Sequence, residues 1–526
     1  MSDLRWTDKG EKQEYTDATI ERVGRDTARL TRGGPGDDSK PGQVDTAQWW
    51  VDISPRTREK GTANPSVIGQ SPEDKSIIQQ AKDEDIFFCT IPFTQAYSEM
   101  DGGWKACCFA HRSANGPTVE DTSIKDWMEN SDYMKSIRKE LTTINSKLEK
   151  VKRFCQRCIA DEKRYGRSRR TNCLKIHTNN PEFADDIIKN VEMYKASGVW
   201  AFDERIIEIQ LKIFGSECNL DCHMCLHTNS SIRQRGAEKG VWNTKLWEEE
   251  MDADWESVQR DFKLHGKDRT GTFKGSVKST IEQVVELAPY IRSIKIIGGE
   301  PLIMKKHYQM MDAIVETGHA KHIYVKYQTN LTKVSVGKHS MFDYAPHFRE
   351  IAVVGSVDGV GKTIEYMRRR TNWQELEDNI KECGKYPNVV VDFNGLVSFL
   401  SVLRFYEVPE YVKSNPNIFQ INWAILETPR SLRPNNLPQK IKDKLIPKYK
   451  EWPDIVASLE RPPEKDFNIQ EVFAYLLKQD KYYEGTKWEM HLFDVFPELE
   501  EYYDPTYVPQ DELKGTLNIE NKEDIL

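Results

Sequence analysis

The chain has 526 residues, of which 30% are charged and 38% hydrophobic, and its formal net charge is -8. That length accommodates two or three domains with cores of their own, and the acidic balance excludes a globally basic nucleic-acid-binding protein. No apolar run approaches the roughly 18 residues of a membrane span, and the N-terminus lacks the apolar core of a signal peptide. We therefore expect a cytoplasmic protein with no membrane partner.

Nine of the ten cysteines lie between Cys89 and Cys225. In a reducing compartment, clustered cysteines are typical of metal binding or catalysis rather than of disulfides. Cys383, the one outside this region, falls in a helical pattern and is expected to be buried in a core.

Residues 1–84 are polar and interrupted by glycine, proline and aspartate, as in Gly33–Asp38. Such a composition buries too little apolar surface to offset the entropy of ordering the chain. We predict a partly irregular N-terminal extension here.

Residues 85–178 form a cysteine-rich segment. The turn sequence Asp101–Gly103 between two short strand-like runs predicts a β-hairpin, and a helical stretch is predicted over Ile124–Lys150. Cys155 and Cys158 follow with the C-x2-C spacing that brings two thiols to one metal centre.

Four thiols suffice for a closed metal site, and Cys89 with one of Cys107 and Cys108 would complete the set begun by the C-x2-C pair. The spacing favours zinc as much as an iron–sulfur cluster, and simple buried cysteines are the third interpretation. From Tyr133 to Lys175 there are 14 Lys and Arg residues against 4 Asp and Glu. This stretch is either a solvated basic helix face or a site for an acidic partner or nucleic acid.

Residues 200–430 alternate apolar strands with amphipathic helices, the pattern of parallel βαβ units. The predicted strands are Ile206–Ile213, Ser293–Ile297, His322–Gln328, Glu350–Ser356, Val389–Asn394 and Phe419–Ile425. The predicted helices between them include Ser279–Leu287, Lys305–Glu316 and Trp373–Cys383. The fold class is therefore α/β, and six strands with crossovers suit a partial parallel (β/α)6 barrel with its chemistry at the strand carboxyl ends.

Three further cysteines, Cys218, Cys222 and Cys225, follow the first predicted strand at C-x3-C-x2-C spacing. Three thiolates on one loop can hold three corners of an iron–sulfur cluster and leave the fourth iron open to another molecule. His223 and His227 lie beside them and keep a zinc site as an alternative.

Polar residues and glycines follow the later predicted strands. Because the carboxyl ends of parallel strands meet at one edge of the sheet, we expect these residues to surround the cysteine loop. They are Gly298-Gly299-Glu300-Pro301, Gln328-Thr329-Asn330, Ser356-Val357-Asp358 and Asn394.

The cysteine loop together with Gly298–Pro301 resembles the radical S-adenosylmethionine superfamily. The resemblance implies that Cys218, Cys222 and Cys225 ligate a [4Fe–4S] cluster whose free iron is chelated by S-adenosylmethionine. One electron then cleaves that molecule to methionine and a 5′-deoxyadenosyl radical, which abstracts a substrate hydrogen.

The same resemblance implies how S-adenosylmethionine is held. Gly298 and Gly299 let the backbone approach it closely, and Glu300 receives its ammonium group. Asn330, Ser356 and Asp358 are implied contacts to its ribose or carboxylate, and Asn394 is a further candidate. Arg369 stands where the family often has an arginine, and Met224 stands where it usually has an aromatic whose backbone contacts adenine.

The cysteine-rich segment resembles the auxiliary-cluster modules of that superfamily, called twitch and SPASM domains. The resemblance rests on Cys89, the hairpin with Cys107 and Cys108, the Cys155-x2-Cys158 pair and the trailing Tyr165–Arg169. It implies a second [4Fe–4S] cluster that accepts or relays electrons or anchors substrate. Cys107 fits the family spacing better than Cys108 does. Cys173 is a spare or alternative ligand.

The stretch Gly355–Thr363 looks like a phosphate-binding P-loop, but the pattern G-x4-G-K-[ST] needs glycine where Ser356 stands. We do not predict a nucleotide site from it. Trp423 either lines the active site or belongs to the core, and His307, His319 and His322 are expected to be surface or structural residues.

Residues 431–526 are predicted to be a helical C-terminal extension with helices near Phe473–Leu477 and His491–Tyr502 and a frayed acidic tail. The expected function is radical chemistry on an unidentified substrate, with a peptide or protein ahead of a nucleoside, sugar or other small molecule. The resemblance also implies a flavodoxin- or ferredoxin-type electron donor. A zinc-stabilised binding protein without catalysis is the alternative from another class.

Overall fold

The structure is a computed structural model. It describes residues 3–6, 12–15, 87–99, 102–110, 116–143, 146–166, 168–179, 181–200, 207–225, 229–238 and 277–509. His227, Arg167, most of the predicted extension over residues 1–84 and the acidic tail after residue 509 lie outside these ranges.

Fourteen strands are present in the described ranges. In chain order they are β1 Asp3–Trp6, β2 Lys12–Tyr15, β3 Gln95–Ser98, β4 Trp104–Lys105, β5 Ile207–Leu211, β6 Asp221–Cys222, β7 Ile291–Ile296, β8 Tyr324–Thr329, β9 Ser335–Val336, β10 His339–Ser340, β11 Glu350–Ser356, β12 Arg368–Arg369, β13 Val389–Val397 and β14 Ile418–Ile425.

Sixteen α-helices accompany the strands within those ranges. They are α1 Ile124–Asn130, α2 Asp132–Thr142, α3 Glu149–Phe154, α4 Gln156–Tyr165, α5 Arg169–Asn179, α6 Pro181–Ser197, α7 Ser231–Glu238, α8 Val277–Glu286, α9 Lys305–Glu316, α10 Lys362–Met367, α11 Trp373–Cys383, α12 Glu407–Ser414, α13 Gln439–Leu445, α14 Pro453–Glu460, α15 Ile469–Tyr483 and α16 Leu492–Val495.

The fold is mixed α/β around an eight-stranded, largely parallel sheet with the strand order β14-β13-β11-β8-β7-β5-β3-β4. Every neighbouring pair from β3 to β14 is parallel, and only β4 runs antiparallel, against β3. Since β5, β7, β8, β11, β13 and β14 follow one another in space as in sequence, their carboxyl ends share one edge of the sheet.

The six predicted strands of this sheet are confirmed, with ends that differ by at most three residues from those expected. Glu350–Ser356 and the helices Lys305–Glu316 and Trp373–Cys383 have the predicted bounds. The strand expected to end at Asn394 continues to Val397, because β14 pairs with it as far as Ile425. Isoleucine and valine fill three of the seven positions of β11 and four of the nine positions of β13, as is typical of strands buried on both faces.

The predicted helical stretch over Ile124–Lys150 is confirmed in part, because α1, α2 and the start of α3 lie within it but do not form one helix. Ser131 ends α1 and its side chain accepts the backbone N–H of Met134, so it starts α2 as an N-cap. Leu148, at φ 53° in the left-handed region, then precedes α3. Local capping has therefore divided the stretch into three shorter helices.

The predicted hairpin around Gly102 is present as β3 and β4, which lie in the main sheet because β3 pairs with β5. The C-terminal helix near Phe473–Leu477 is the middle of a longer one, α15. The stretch His491–Tyr502 is instead α16 and a 3₁₀ turn, Pro497–Tyr502, since proline begins the new turn. Among the described residues, no helix is both long and apolar enough to cross a membrane.

Candidate functional site

A cavity of about 320 Å³ lies at the carboxyl ends of the parallel strands, and all three cysteines of the C-x3-C-x2-C loop face it. The wall of this cavity contains residues that were selected from the sequence and others that were not. The lining residues are Cys218, Cys222, Met224, Cys225, Asn229, Ile297, Gly298, Gly299, Gln328, Thr329, Asn330, Ser356, Arg368 and Thr428.

The cysteine loop is held to the structure by backbone hydrogen bonds on both sides. Its strand β6 pairs antiparallel with β12, so that Cys222 lies opposite Arg368. The N–H of His223 donates to the carbonyl of Met367 over 3.1 Å, and the N–H of Cys225 donates to the carbonyl of Cys222 over 3.1 Å. The three thiols are therefore presented by a fixed turn.

Gly298 and Gly299 explain why the loop can lie against the sheet edge. A Cβ added at Gly299 would be 2.3 Å from the carbonyl oxygens of both Ser216 and Glu217, and one at Gly298 would be 2.7 Å from that of Gly215. The N–H of Glu300 also donates to Glu217 O over 2.6 Å. Because these two glycines lack a Cβ, they leave room for the cysteine loop. They also face the cavity, as predicted.

Glu300 is fully buried and does not line the cavity. Its carboxylate accepts hydrogen bonds from the N–H of Leu302, the N–H of Asn330 and the hydroxyl of Thr329, over 3.0, 2.6 and 2.7 Å. Burial raises the pKa of this carboxyl to about 7 against the opposing effect of those donors. In this structure Glu300 joins the ends of β7 and β8, and neighbouring Pro301 opens a buried 3₁₀ turn.

Asp358 is also buried beneath the cavity, where it holds an arginine that the sequence analysis did not select. Its carboxylate pairs with Arg368, with Nε to Oδ2 at 2.7 Å, and accepts the N–H of Leu396 over 2.8 Å. The Arg368 guanidinium lies 3.8 Å from Cys222 Sγ. Arg368 is thus the cation in the cavity, and Asp358 positions it.

Arg369, the arginine selected from the sequence, has its side chain turned away from the cavity. It forms an ion pair with Asp480 and donates to the carbonyl of Met490 over 2.9 Å. Successive residues of a strand face opposite sides, and Arg368 and Arg369 both lie in β12. Of the two arginines, Arg368 therefore lines the cavity, and Arg369, the one selected from the sequence, does not.

Asn330 and Ser356 both line the cavity as predicted. Asn330 Nδ2 donates to Asn219 Oδ1 over 2.9 Å, which connects the end of β8 to the cysteine loop. Gln328 Nε2 donates to Ser356 Oγ over 3.3 Å. Asn394 pairs in register with Ser356 one strand further on but does not line the cavity.

A buried ionic network lies behind the cysteine loop and joins it to the C-terminal extension. Asp221 pairs with Arg233 of α7, with Oδ1 to Nη1 at 3.1 Å, and both side chains are at most 2% exposed. Tyr483 of α15 donates to the other oxygen of Asp221 over 2.9 Å. Tyr475 of the same helix donates to the carbonyl of His223 over 2.6 Å and contacts Arg233.

The zinc alternative named His223 and His227, of which His227 lies outside the described residues. The His223 ring lies on the buried side of the loop and not in the cavity. The ring packs against Tyr366 and Tyr475, at centroid distances of 4.9 and 6.3 Å. Burial lowers its pKa well below the ordinary value. A neutral imidazole there serves the packing of the loop against α15.

A second cavity brings together four cysteines of the N-terminal segment, Cys89, Cys107, Cys155 and Cys158. Cys108 and Cys173 are not among its lining residues, so the geometry agrees with the choice of Cys107 over Cys108. Its walls are otherwise mostly apolar, and its free volume of about 20 Å³ is close to that of one water. Four thiols are suitable ligands for an iron–sulfur cluster. However, the side chains that line this cavity would have to move apart for a cluster to fit.

Burial and mutual repulsion act on the thiols of both groups. Burial raises the pKa of Cys222 and of Cys155 to about 12, and the neighbouring thiols add to the shift. In each group a cation opposes the shift, Arg368 beside Cys222 and Arg170 beside Cys155. Within the described residues, no group of three or more His, Cys, Asp or Glu is arranged to hold a metal ion.

Comparison with known proteins adds no family. No protein-family model matches the chain, and neither does any curated protein. The superfamily resemblance is accordingly carried by the residues already named.

Several residues of the cavity were missed by sequence reasoning. Arg368 could have been found from the basic run Tyr366–Arg370. Because successive residues of a strand face opposite sides, only one of Arg368 and Arg369 can face the cavity, and this was the available signal. Asn229 and Thr428 come from a loop and from beyond the last strand, where no local pattern marks them. The same holds for Tyr475 and Tyr483, which reach the cysteine loop from about 250 residues away.

The Gly299→Ala substitution should loosen the cysteine loop. The new methyl group would meet two backbone oxygens that cannot move independently, so we expect a loss of about 2–3 kcal/mol in the free energy of unfolding. Gly355→Ala is the control, because its Cβ would meet nothing closer than a flexible Leu331 carbon at 3.3 Å. Urea denaturation of the metal-free proteins measures the free energy of unfolding of both variants. Equal losses of stability in the two variants would contradict the close backbone crossing at Gly299.

The Asp221→Asn substitution should destabilise the protein by about 3–5 kcal/mol, because Arg233 would keep a buried charge without its carboxylate. Tyr483→Phe removes one hydrogen bond to the same carboxylate and should cost about 1–2 kcal/mol. Thermal and urea unfolding of metal-free protein give both values. A smaller effect for Asp221→Asn than for Tyr483→Phe would mean that the ion pair does not hold the loop.

Proposed function

We propose that the chain is a radical S-adenosylmethionine enzyme. The observation that carries the proposal is the meeting of the three cysteines of the C-x3-C-x2-C loop with Gly298, Gly299, Asn330 and Ser356 in one cavity. The carboxyl ends of parallel strands meet in any such sheet, so the distinguishing feature is that three thiols from one loop face the same cavity as these strand-end residues and as two glycines that leave room for the loop. The absence of a family match leaves the proposal resting on this geometry.

The chemistry and placement of the donors support the implied group, since three thiols line one cavity, although in the described residues they are not arranged around a single metal ion. Cys218, Cys222 and Cys225 would hold three irons of a four-iron cluster, and thiolates are its usual protein ligands. When bound, such a cluster would supply one electron for the reductive cleavage of S-adenosylmethionine. The remaining wall of the cavity would hold S-adenosylmethionine.

The chain's own residues would orient that molecule through fixed polar groups. Arg368, held by Asp358, presents a cation beside Cys222, and a carboxylate is its natural partner. Gln328 and Ser356 present an amide and a hydroxyl on adjacent strands. Ile297 and Met224 supply part of the apolar wall, which would exclude water from the bound molecule.

We also propose that the six strands from β5 to β14 curve as a partial (β/α)6 barrel. Their sequential order, parallel direction and intervening helices support this form. The substrate would then approach the cavity at the strand carboxyl ends. A peptide or protein is the proposed substrate, with a nucleoside, sugar or other small molecule as the alternative.

Anaerobic reconstitution with iron and sulfide tests the proposal. Two four-iron clusters predict about eight irons per chain and a brown protein, which releases 5′-deoxyadenosine from S-adenosylmethionine when dithionite is added. Cys222→Ala should abolish that release. Cys383 is a buried residue at the end of α11 and lines neither cavity, so Cys383→Ala should leave the release of 5′-deoxyadenosine unchanged. A colourless protein that binds zinc and never cleaves the molecule would favour the binding-protein alternative.

The second cysteine group has its own test. Replacing Cys155 and Cys158 together by alanine should lower the iron content from about eight to about four per chain, while release of 5′-deoxyadenosine persists in part. Cys173→Ala, whose thiol does not line that cavity, is the matched control and should retain all the iron. An unchanged iron content in the double variant would remove the second cluster from the proposal.

A further inference from the structure

The strands from β7 to β14 present an accessible polar face on one side of the main sheet. Pairing in register puts five partly or fully exposed residues on that side, namely Lys295, Gln328, Ser356, Asn394 and Ala424. We call this side the inner face. The residues that alternate with them are apolar and at most 1% exposed, among them Ile294, Ile296, Val325, Val353 and Phe393. Parallel strands are ordinarily covered on both faces, so an accessible polar face is suited to bind another molecule.

The inner face continues into the cavity of the C-x3-C-x2-C loop. Gln328 and Ser356 belong to both, and Ile297, two residues after Lys295, also lines the cavity. Two residues of a strand span roughly 6.6 Å, so Lys295 lies about one layer of side chains deeper than the cavity wall. A molecule bound at Lys295 would therefore extend toward the three thiols.

Buried polar atoms of the inner face have no hydrogen-bond partner within the described ranges. Both amide atoms of Gln420 are of this kind, and so are Ser293 Oγ and Asn422 Oδ1. These three residues are 2, 3 and 7% exposed, in that order. Because buried polar groups nearly always have a partner, unpaired ones beside an accessible face indicate that a polar molecule is bound there.

Two cations at the inner face have no counter-ion. Neither the Lys295 ammonium nor the guanidinium of Arg169, at the start of α5, forms an ion pair or hydrogen bond in the part of the chain that the structure describes. Burial lowers the pKa of Lys295, and the charge of Arg169 lowers it further. Glu208 acts in the opposite direction, but its carboxylate accepts a hydrogen bond from Gln95 and forms an ion pair with neither cation.

Lys326 adds a third positive charge beside Lys295. The two lysines pair in register on neighbouring strands, and Lys326 is 2% exposed. Burial lowers the pKa of Lys326 well below its ordinary value, and the charge of Lys295 lowers it further, while Glu208 and Asp392 oppose the shift. Adjacent buried cations repel each other, and an anion bound between Lys295 and Arg169 would offset that repulsion.

We propose that the inner face binds the substrate through an anionic group, a carboxylate or a phosphate, held by Lys295 and Arg169. The inference rests on the proposed function and adds to it the charge of the substrate and the place where it is anchored. Both side chains donate charge-assisted hydrogen bonds to either kind of oxyanion. With the anionic group fixed one layer below the cavity, the rest of the substrate lies toward the C-x3-C-x2-C loop.

This anion site is separate from the cation assigned to S-adenosylmethionine. Arg368 lines the cavity beside Cys222 and is paired with Asp358. Lys295 and Arg169 do not line that cavity, and they come from β7 and α5. Two different molecules can therefore place a negative group on the protein at the same time.

Binding of two small anions to the full-length protein tests the proposal. Inorganic phosphate and succinate are the probes, because they present the two kinds of oxyanion alone, and calorimetry at low ionic strength measures their Kd. Lys295→Gln and Arg169→Gln are compared with Arg292→Gln as the matched control. Arg292 lies in the same strand as Lys295 but three residues earlier, and so on the opposite side. Its guanidinium donates to the carbonyls of Pro289 and Ile291.

We expect the Kd of at least one probe to rise about tenfold in each test variant, the loss of one hydrogen bond to a charged group. Arg292→Gln should stay within about twofold of wild type. The probe with the lower Kd in wild type identifies the anionic group of the substrate. No saturable binding of either probe to wild type, or an unchanged Kd in the test variants, would overturn the proposal.

The melting temperature separates an anion site from a structural role of Lys295. Lys295→Gln removes a charge that has no counter-ion, so the melting temperature should be retained or should rise. A variant that binds anions as wild type does and melts at a lower temperature would assign the lysine to stability and refute the site. If Lys295→Gln does not fold, Arg169→Gln still decides the outcome through its Kd.

Anion binding and cofactor cleavage are measured independently, which keeps the two proposals apart. Wild-type protein that releases 5′-deoxyadenosine with dithionite, yet binds neither anion, retains the proposed function and refutes the anion site. Wild-type protein that binds an anion through Lys295 and Arg169, but releases no 5′-deoxyadenosine, supports the site and refutes the function.

Discussion

The arrangement of the site depends on one backbone crossing. The turn that carries the cysteines passes over Gly298 and Gly299 so closely that neither position has room for a Cβ. Because these glycines directly follow the end of β7, the crossing fixes the loop at the carboxyl edge of the sheet. Glu300, the next residue, then ties the ends of β7 and β8 together through its buried carboxylate. The position of the thiols follows from these contacts more than from the loop's own sequence.

The loop is supported from its other side by the C-terminal extension. Asp221 and Arg233 form a pair that is nearly inaccessible to water, and hydroxyl groups of α15 complete their hydrogen bonding. Removing one partner from such a pair is costly, whereas the intact pair contributes little net stability by itself. Its value here lies in specificity, since it fixes the loop in one position against α15. The C-terminal extension therefore supports the cysteine loop of the site directly.

The two cysteine groups differ in their surroundings. The thiols of the C-x3-C-x2-C loop face a roomy cavity with a cation, amides and hydroxyls, as a site for a polar molecule requires. The four thiols of the N-terminal group lie in a small, mostly apolar cavity close to the protein surface. The first cavity has room and polar groups for a bound molecule, whereas the second encloses its thiols with almost no free volume. Their strands nevertheless belong to a single sheet, because β3 pairs with β5.

The sequence by itself determined the α/β class, the six parallel strands and the residues of both cysteine groups. Apolar periodicity and strand-end residues are local signals, and parallel strands bring such ends together. Only the tertiary structure decided that Arg368 rather than Arg369 faces the cavity, since that depends on which face of β12 meets the cysteine loop. It alone showed that Glu300 is enclosed by the strand ends and that Tyr475 and Tyr483 reach the loop. Contacts between residues some 250 positions apart leave no periodic trace in a sequence, because they arise from packing between elements.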